Sequence, residues 1–301
     1  MTLVLLILSV PLMGISAHLF VDKVVALAHK MRLPLYGIAA GLVSILTSVP
    51  EILVSISTAM SGQIELSMGN IWGSVLANTL LVVGVSACFK PLTCRETVSR
   101  TEMPFFLMGL VFWGILVFLD ASSILIWVAP LLWCGYMMRV HQAEEEEVFI
   151  QSGSWWNLPL AFIYFGLIWI ASLWMIDGAQ WVAEYFSLPQ WFVGITILAV
   201  GTSLPELVVS VVALIKGHAD LALGNVVGSN MFLIFILMPC CVFLGGSEQL
   251  MFVFPAILMA MGANALLYVL ILFFDHQKQV NRWEGGLMLM AYLMFLWFEY
   301  Q

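Results

Sequence analysis

Two short stretches, Thr47-Ser48-Val49-Pro50-Glu51 and Thr202-Ser203-Leu204-Pro205-Glu206, constrain this chain more than anything else in it. Each sets a carboxylate directly after a proline, inside a run of otherwise apolar residues. Glu51 and Glu206 are 155 positions apart in a chain of 301. Composition sets their surroundings. The chain is 62% hydrophobic and 9% charged, with mean hydropathy +1.05, against about 25% charged for an ordinary soluble domain. This is the signature of an integral membrane protein and excludes a soluble one. A carboxylate at bilayer depth costs about 2.5–3.5 kcal/mol even on the mildest scales, so it marks a functional site by default. Two in the same local sequence point to a transporter built from a duplicated half.

A spanning helix takes about 20 mainly apolar residues. That rule divides the chain into ten spans, near 2–21, 35–60, 67–88, 103–119, 121–139, 157–176, 190–215, 221–244, 250–274 and 284–299. The fourth and fifth are cut from one run at Asp120-Ala121-Ser122-Ser123. The first run, Thr2 to Val21, has no basic stretch before it and reads as a retained span rather than a cleaved signal. Lysine and arginine near span ends mark the cytoplasmic side. Lys23, Lys30 and Arg32 follow the first span, and Lys90, Arg95 and Arg100 the third. Arg139 follows the fifth, Lys216 the seventh, and Lys278 and Arg282 the ninth. An outside amino terminus puts all ten basic residues inside. Both termini are therefore expected to face outward from the cell's inner (plasma) membrane.

Residues 141–156, with the acidic run Glu144-Glu147, separate a first repeat over 1–140 from a second over 157–301. Such a charge block reads as a solvated cytoplasmic linker, and it lacks the spaced acids and glycine of a calcium loop. Cys88, Cys94, Cys134, Cys240 and Cys241 show no metal spacing and are expected to behave as small hydrophobes.

The duplication extends well beyond Pro-Glu. Shifted by 155, Thr47, Ser48, Pro50, Glu51, Ser55, Gly62, Leu66, Gly69, Asn70, Gly73 and Ser74 fall on Thr202, Ser203, Pro205, Glu206, Ser210, Gly217, Leu221, Gly224, Asn225, Gly228 and Ser229. Asp120 falls on Asp275 in the same register. Five spans, an odd number, separate equivalent points, so the second half is expected upside down relative to the first. The predicted fold is an all-α integral membrane protein, ten transmembrane helices as two inverted-topology five-helix repeats. In that plan the site lies near the midplane, at the repeat interface.

Pro50 and Pro205 donate no backbone hydrogen bond and crowd the carbonyl four residues back. This is expected to break the helix, freeing the carbonyls of Leu46 and Gly201 and loosening those of Thr47 and Thr202. A bound cation is one partner for such groups; a kinked helix satisfied by its neighbours is the plainer alternative. Ser44, Ser48, Glu51 and Ser55 share one helical face, as do Ser203, Glu206 and Ser210. Ser67, Asn70, Ser74 and Asn78 form a polar stripe that the second half keeps at Asn225 and Ser229 but breaks at Leu233. Gly69, Gly73, Gly224 and Gly228 are spaced to let helices approach closely. Carboxylates, hydroxyls, amide oxygens and carbonyls make a hard, all-oxygen ligand set, which suits calcium and disfavours zinc, copper or iron. Two nearby carboxylates repel each other, and calcium, sodium or protons each relieve that repulsion. Competition for one charged site is a physical basis for exchange.

Gly201-Thr-Ser-Leu-Pro-Glu206 followed by Gly224-Asn-Val-Val-Gly-Ser-Asn230 resembles the second alpha repeat of the sodium/calcium exchanger family, within the calcium/cation antiporter superfamily. Leu46-Thr-Ser-Val-Pro-Glu51 followed by Gly69-Asn-Ile-Trp-Gly-Ser74 resembles the first. The resemblance implies a prokaryotic-type antiporter that extrudes calcium as sodium enters, by alternating access. It implies Glu51 and Glu206 as shared calcium ligands. Ser48, Ser203, the carbonyls of Thr47 and Thr202, Ser74, Ser229 and Asn78 would complete the sodium and calcium sites. Three positions depart from the pattern. Leu46 stands where glycine is usual, Val75 where asparagine is frequent, and Leu233 at the counterpart of Asn78, where an asparagine or aspartate is typical.

Calcium/proton exchange or a potassium-dependent exchange is the alternative within this class. An intramembrane hydrolase using Glu51 and Glu206 as an acid/base pair is the reading from another class. A passive channel is a third. No cofactor and no nucleic acid is expected, and the short linker suits a monomer.

Overall fold

The computed structural model describes residues 2–31, 35–62, 64–94, 96, 98–118, 125–143, 154–185, 199–246, 254–271 and 279–300. Asp120, Asp275 and the acidic run Glu144-Glu147 lie outside them. The first half contains α1 (Thr2–Met31), α2 (Leu35–Thr47), α3 (Val49–Met60), α4 (Ile64–Phe89), α5 (Val98–Phe118) and α6 (Val128–Ala143). The second contains α7 (Asn157–Tyr185), α8 (Ala199–Thr202), α9 (Leu204–Ile215), α10 (Ala219–Gly245), α11 (Phe254–Val269) and α12 (Arg282–Tyr300). A two-residue ribbon pairs β1 (Leu92–Thr93) antiparallel with β2 (Gln279–Val280).

Among the described residues five helices are long and apolar enough to cross a membrane, and the α2–α3 pair makes a sixth bent by 50°. Helices α9 and α11 are apolar but shorter. The exterior is apolar too: Leu131 is 71% exposed and Leu293 63%. Lipid, not water, is the solvent for such a surface.

Two spans differ from expectation in length. The first was expected to end near residue 21, yet α1 continues through Lys23 and Lys30 to Met31. Val24, Leu27 and Ala28 remain buried there, so packing continues after hydropathy has fallen. The sixth, expected to end near 176, runs as α7 to Tyr185 through Asp177 and Glu184.

The breaks inside α2–α3 and α8–α9 have the same geometry. Ser48 sits at φ −81°, ψ 8° and Ser203 at φ −86°, ψ 8°. Pro50 and Pro205 fall in the first turn of the following helix, where a missing N–H costs nothing. The Leu46 carbonyl, expected to be free, accepts a backbone N–H at the end of α2. Twelve residues after each proline, Gly62 (φ 74°) and Gly217 (φ 89°) end α3 and α9 in the left-handed conformation that glycine adopts without steric cost.

Helix α1 packs along α7, α3 on α4, α9 on α10, and α10 against α2. At the last crossing a Cβ on Gly228 would lie 2.4 Å from the Ala40 carbonyl oxygen, and one on Gly224 2.8 Å from that of Tyr36. Gly69 and Gly73 meet nothing within 4 Å among the described residues. In the repeat register the segment facing them corresponds to 191–195, which lies outside that set.

Basic residues from several loops gather at one end of the helices. Lys216 Nζ donates to Asp22 Oδ1 at 2.5 Å and to the His18 carbonyl at 2.6 Å, fastening α9 to α1. Arg282 Nη2 donates to the Phe89 carbonyl at 3.3 Å, beside the β1–β2 ribbon.

Candidate ion-binding site

Each helix break presents a carboxylate to the interior one turn later. Glu51 on α3 and Glu206 on α9 are both 0% exposed and close enough to feel each other's charge. Hydroxyls reach them across the repeats. Ser48 Oγ donates to Glu206 Oε1 at 3.2 Å, and Thr47 also contacts that carboxyl. Thr202 hydrogen-bonds Glu51 from the second half, and Ser74 Oγ on α4 makes a long 3.5 Å contact to Glu51 Oε1. Neither half completes the site alone.

Paired asparagines fix the two breaks in register. Asn70 Nδ2 donates to Ser55 Oγ at 2.9 Å and to the Glu51 carbonyl at 3.4 Å. Asn225 Nδ2 does the same to Ser210 Oγ at 3.0 Å and the Glu206 carbonyl at 3.4 Å. Asn225 Oδ1 also lies 2.9 Å from Thr47 Oγ1. That hydroxyl has further acceptors in the Val43 and Ser44 carbonyls at 3.1 and 3.2 Å. Ser229 Oγ donates to the Ser44 carbonyl at 3.3 Å, tying α10 to α2.

Several buried polar atoms have no hydrogen-bond partner among the described residues: Glu51 Oε2, Glu206 Oε2, Ser203 Oγ, and both amide atoms of Asn78. Buried polar groups are nearly always paired, so atoms of this kind need an explanation. Most of these atoms are oxygens, which a hard cation can satisfy. Among the described residues no three His, Cys, Asp or Glu side chains converge on a metal position. The cysteines are free.

The two halves differ at the position of Asn78. Asn78 lies in a π-helical turn of α4, Ala77–Val82, and Leu233 opens the matching turn of α10, Leu233–Leu237. Both residues are 0% exposed. Thr79 and Asn264 lie outside the repeated motifs and Asn230 closes the second one; the three are buried and hydrogen-bonded in a chain. A lone amide in the apolar stretch of α11 is the signal that could have found Asn264.

The family model for the sodium/calcium exchanger protein matches residues 1–140 and 156–301. The chain belongs to the sodium/calcium exchanger family. It is 31% identical over 250 residues to the inner membrane protein YrbG of Escherichia coli (strain K12), covering 78% of this chain and 77% of that one. It is 25% identical over 346 residues to the sodium/calcium exchanger MaX1 of Methanosarcina acetivorans, covering 97% and 96%. Among solved structures, the sodium-calcium exchanger NCX_Mj soaked with 2.5 mM Na+ and 0.1 mM Sr2+ superposes with a TM-score of 0.84 at 25% identity, over 97% of each chain. Family membership makes this chain an integral membrane protein and a cation antiporter, a transporter rather than an enzyme.

Proposed function

We propose that this protein exports calcium in exchange for sodium, by alternating access at a midplane site shared between two inverted five-helix repeats. The repeats are residues 1–140 and 157–301, joined by a cytoplasmic linker over 141–156. The observation that carries the reading is the fully buried pair Glu51 and Glu206, each hydrogen-bonded by a hydroxyl residue from the other half. Two like charges in a space closed to water favour a divalent cation, and they accept monovalent cations in its place. The ligands are Glu51 and Glu206 with Ser48, Ser203, Ser74, Ser229, Asn78 and the carbonyls of Thr47 and Thr202. Thr47 and Asn225 couple the halves by their 2.9 Å contact, so a change of site occupancy is felt in both repeats. The basic residues gathered at one end of the helices support a cytoplasmic assignment for that end, with both termini outside.

The test is a gradient swap. Proteoliposomes loaded with sodium and diluted into sodium-free buffer should accumulate radioactive calcium. Replacing the sodium gradient with a potassium or pH gradient should abolish accumulation. One observation favours the proton-coupled alternative: Leu233 removes an oxygen from the ring that Asn78 begins, which reduces the capacity for several sodium ions. Calcium accumulation driven by the pH gradient would replace sodium with protons. Uptake indifferent to all three gradients would end the antiport reading of calcium.

A further inference from the structure

We infer that Thr79, Asn230 and Asn264 are positioning residues that orient Asn78 toward the transported cation. The inference takes from the proposed function only that Asn78 is a ligand. Asn78 lies in the π-helical turn Ala77–Val82, and both its amide atoms are buried without a partner among the described residues. A π-turn departs from the regular helical register, so its side-chain directions depend on what fastens it.

Thr79, the next residue, is fastened from three sides. Its hydroxyl lies 2.9 Å from the Val75 carbonyl and 3.0 Å from Asn264 Oδ1, two acceptors for one proton. It accepts from Asn230 Nδ2 at 2.9 Å. Asn264 Nδ2 donates to the Ala260 carbonyl at 2.8 Å, which fixes that amide with its oxygen toward Thr79. The chain Asn230–Thr79–Asn264 therefore runs in one donor direction across α10, α4 and α11.

The matching turn of the second half is fastened from the first half, with different chemistry. Trp113 lies on α5 and Asn264 on α11, and in the 155-residue register Trp113 falls on Tyr268, so the two are not repeat counterparts. Trp113 Nε1 donates to the Ile234 carbonyl at 2.9 Å, and Ile234 is the counterpart of Thr79 in the 155-residue register. Where the turn carries Leu233 and offers no side-chain ligand, the bond seen among the described residues goes to its backbone. Where the turn carries Asn78, a three-member side-chain chain holds it. Groups behind a ligand that fix its orientation typically change metal affinity by 10–100-fold when removed. Interhelical hydrogen bonds that only hold helices together would do no such thing.

The test combines the half-saturating calcium concentration and maximal rate in proteoliposomes with calcium- and sodium-induced shifts of the unfolding midpoint of the purified full chain. Thr79→Val and Asn264→Leu should each raise half-saturating calcium on the order of tenfold, with a smaller change in maximal rate. Thr79→Ser should stay close to the parent. On an Asn78→Ala background Thr79→Val should add no further loss, because the group it positions is already gone. An equal penalty on both backgrounds, or a lowered midpoint with unchanged half-saturation, overturns the inference. If Thr79→Val does not fold, Asn264→Leu on both backgrounds makes the same comparison. A parent that binds calcium without exchanging it defeats the antiport reading, and the midpoint shifts then decide this inference. A parent that binds neither cation overturns both.

Discussion

Ser48 Oγ donates to Glu206 Oε1 at 3.2 Å, across 158 positions of sequence. The serine at the helix break of one repeat thus serves the carboxylate of the other. Its counterpart, Ser203 Oγ, has no protein partner among the described residues. The same motif therefore occupies two different environments, and substitutions at the two serines should not behave alike.

Ser48→Ala removes a donor from a buried carboxyl. A hydrogen bond to a charged group contributes about 1.5–3 kcal/mol, so both the unfolding midpoint in ion-free buffer and the affinity for calcium should fall. Ser203→Ala removes no internal bond. It should weaken ion affinity while leaving the ion-free midpoint where it was, which differential scanning fluorimetry and uptake assays read directly.

Glu51→Gln and Glu206→Gln keep side-chain size and one oxygen but remove the charge. Each alone should reduce gradient-driven calcium uptake to that of protein-free vesicles, while size-exclusion profiles stay unchanged. Robust uptake by either variant contradicts a shared carboxylate site.

Leu233→Asp adds an oxygen donor at the position matching Asn78, where Leu233 is wholly buried. Affinity at calcium sites rises with the number of charged ligands. Half-saturating calcium should drop on the order of tenfold, with Leu233→Asn giving a smaller drop of the same sign. Kinetics of uptake at varied calcium would expose a change in the opposite direction.

Gly228→Ala would place a Cβ 2.4 Å from the Ala40 carbonyl oxygen and 2.6 Å from its Cα. Neither backbone atom can step aside, so α10 and α2 must separate at a cost of about 1–3 kcal/mol. Gly286→Ala in α12 meets nothing within 4 Å among the described residues and should gain up to about 1 kcal/mol from helix propensity. Thermal unfolding in detergent should move the two midpoints in opposite directions.

His218 gives the protein an acid-side weakness outside the spans. Burial, with the Lys216 ammonium and His29 nearby, lowers its pKa below the ordinary 6.5, against a smaller opposing pull from Asp22 and Asp220. The unfolded chain then binds the proton more readily, so folded stability is lost as pH falls below 6.5. His218→Gln should flatten the decline of the unfolding midpoint between about pH 7.5 and 5.5. An unchanged slope would assign that decline to other groups.

Much of the site was legible as a linear pattern because the chain states it twice. The repeated Thr-Ser-x-Pro-Glu locates both helix breaks, which take the same φ and ψ at Ser48 and Ser203. The apolar runs mark the membrane helices, since lipid leaves few alternatives to a helix. Helix ends were less legible. Hydropathy falls at Lys23, but α1 continues because Val24 and Leu27 are still covered by neighbouring side chains. The Leu46 carbonyl is not left free, because the backbone N–H groups that cap α2 at Ser48 reach it.

The sequence alone determined that this chain is a membrane protein with two buried carboxylates in duplicated surroundings, since burying charge in lipid is too costly to be incidental. Only the tertiary structure decided which groups meet. It set Ser48 against Glu206, Asn225 against Thr47, and Asn264 against Thr79. None of these contacts follows from spacing along the chain. Each depends on how helices from the two halves pack, and that packing is set by the summed fit of many side chains rather than by a local motif.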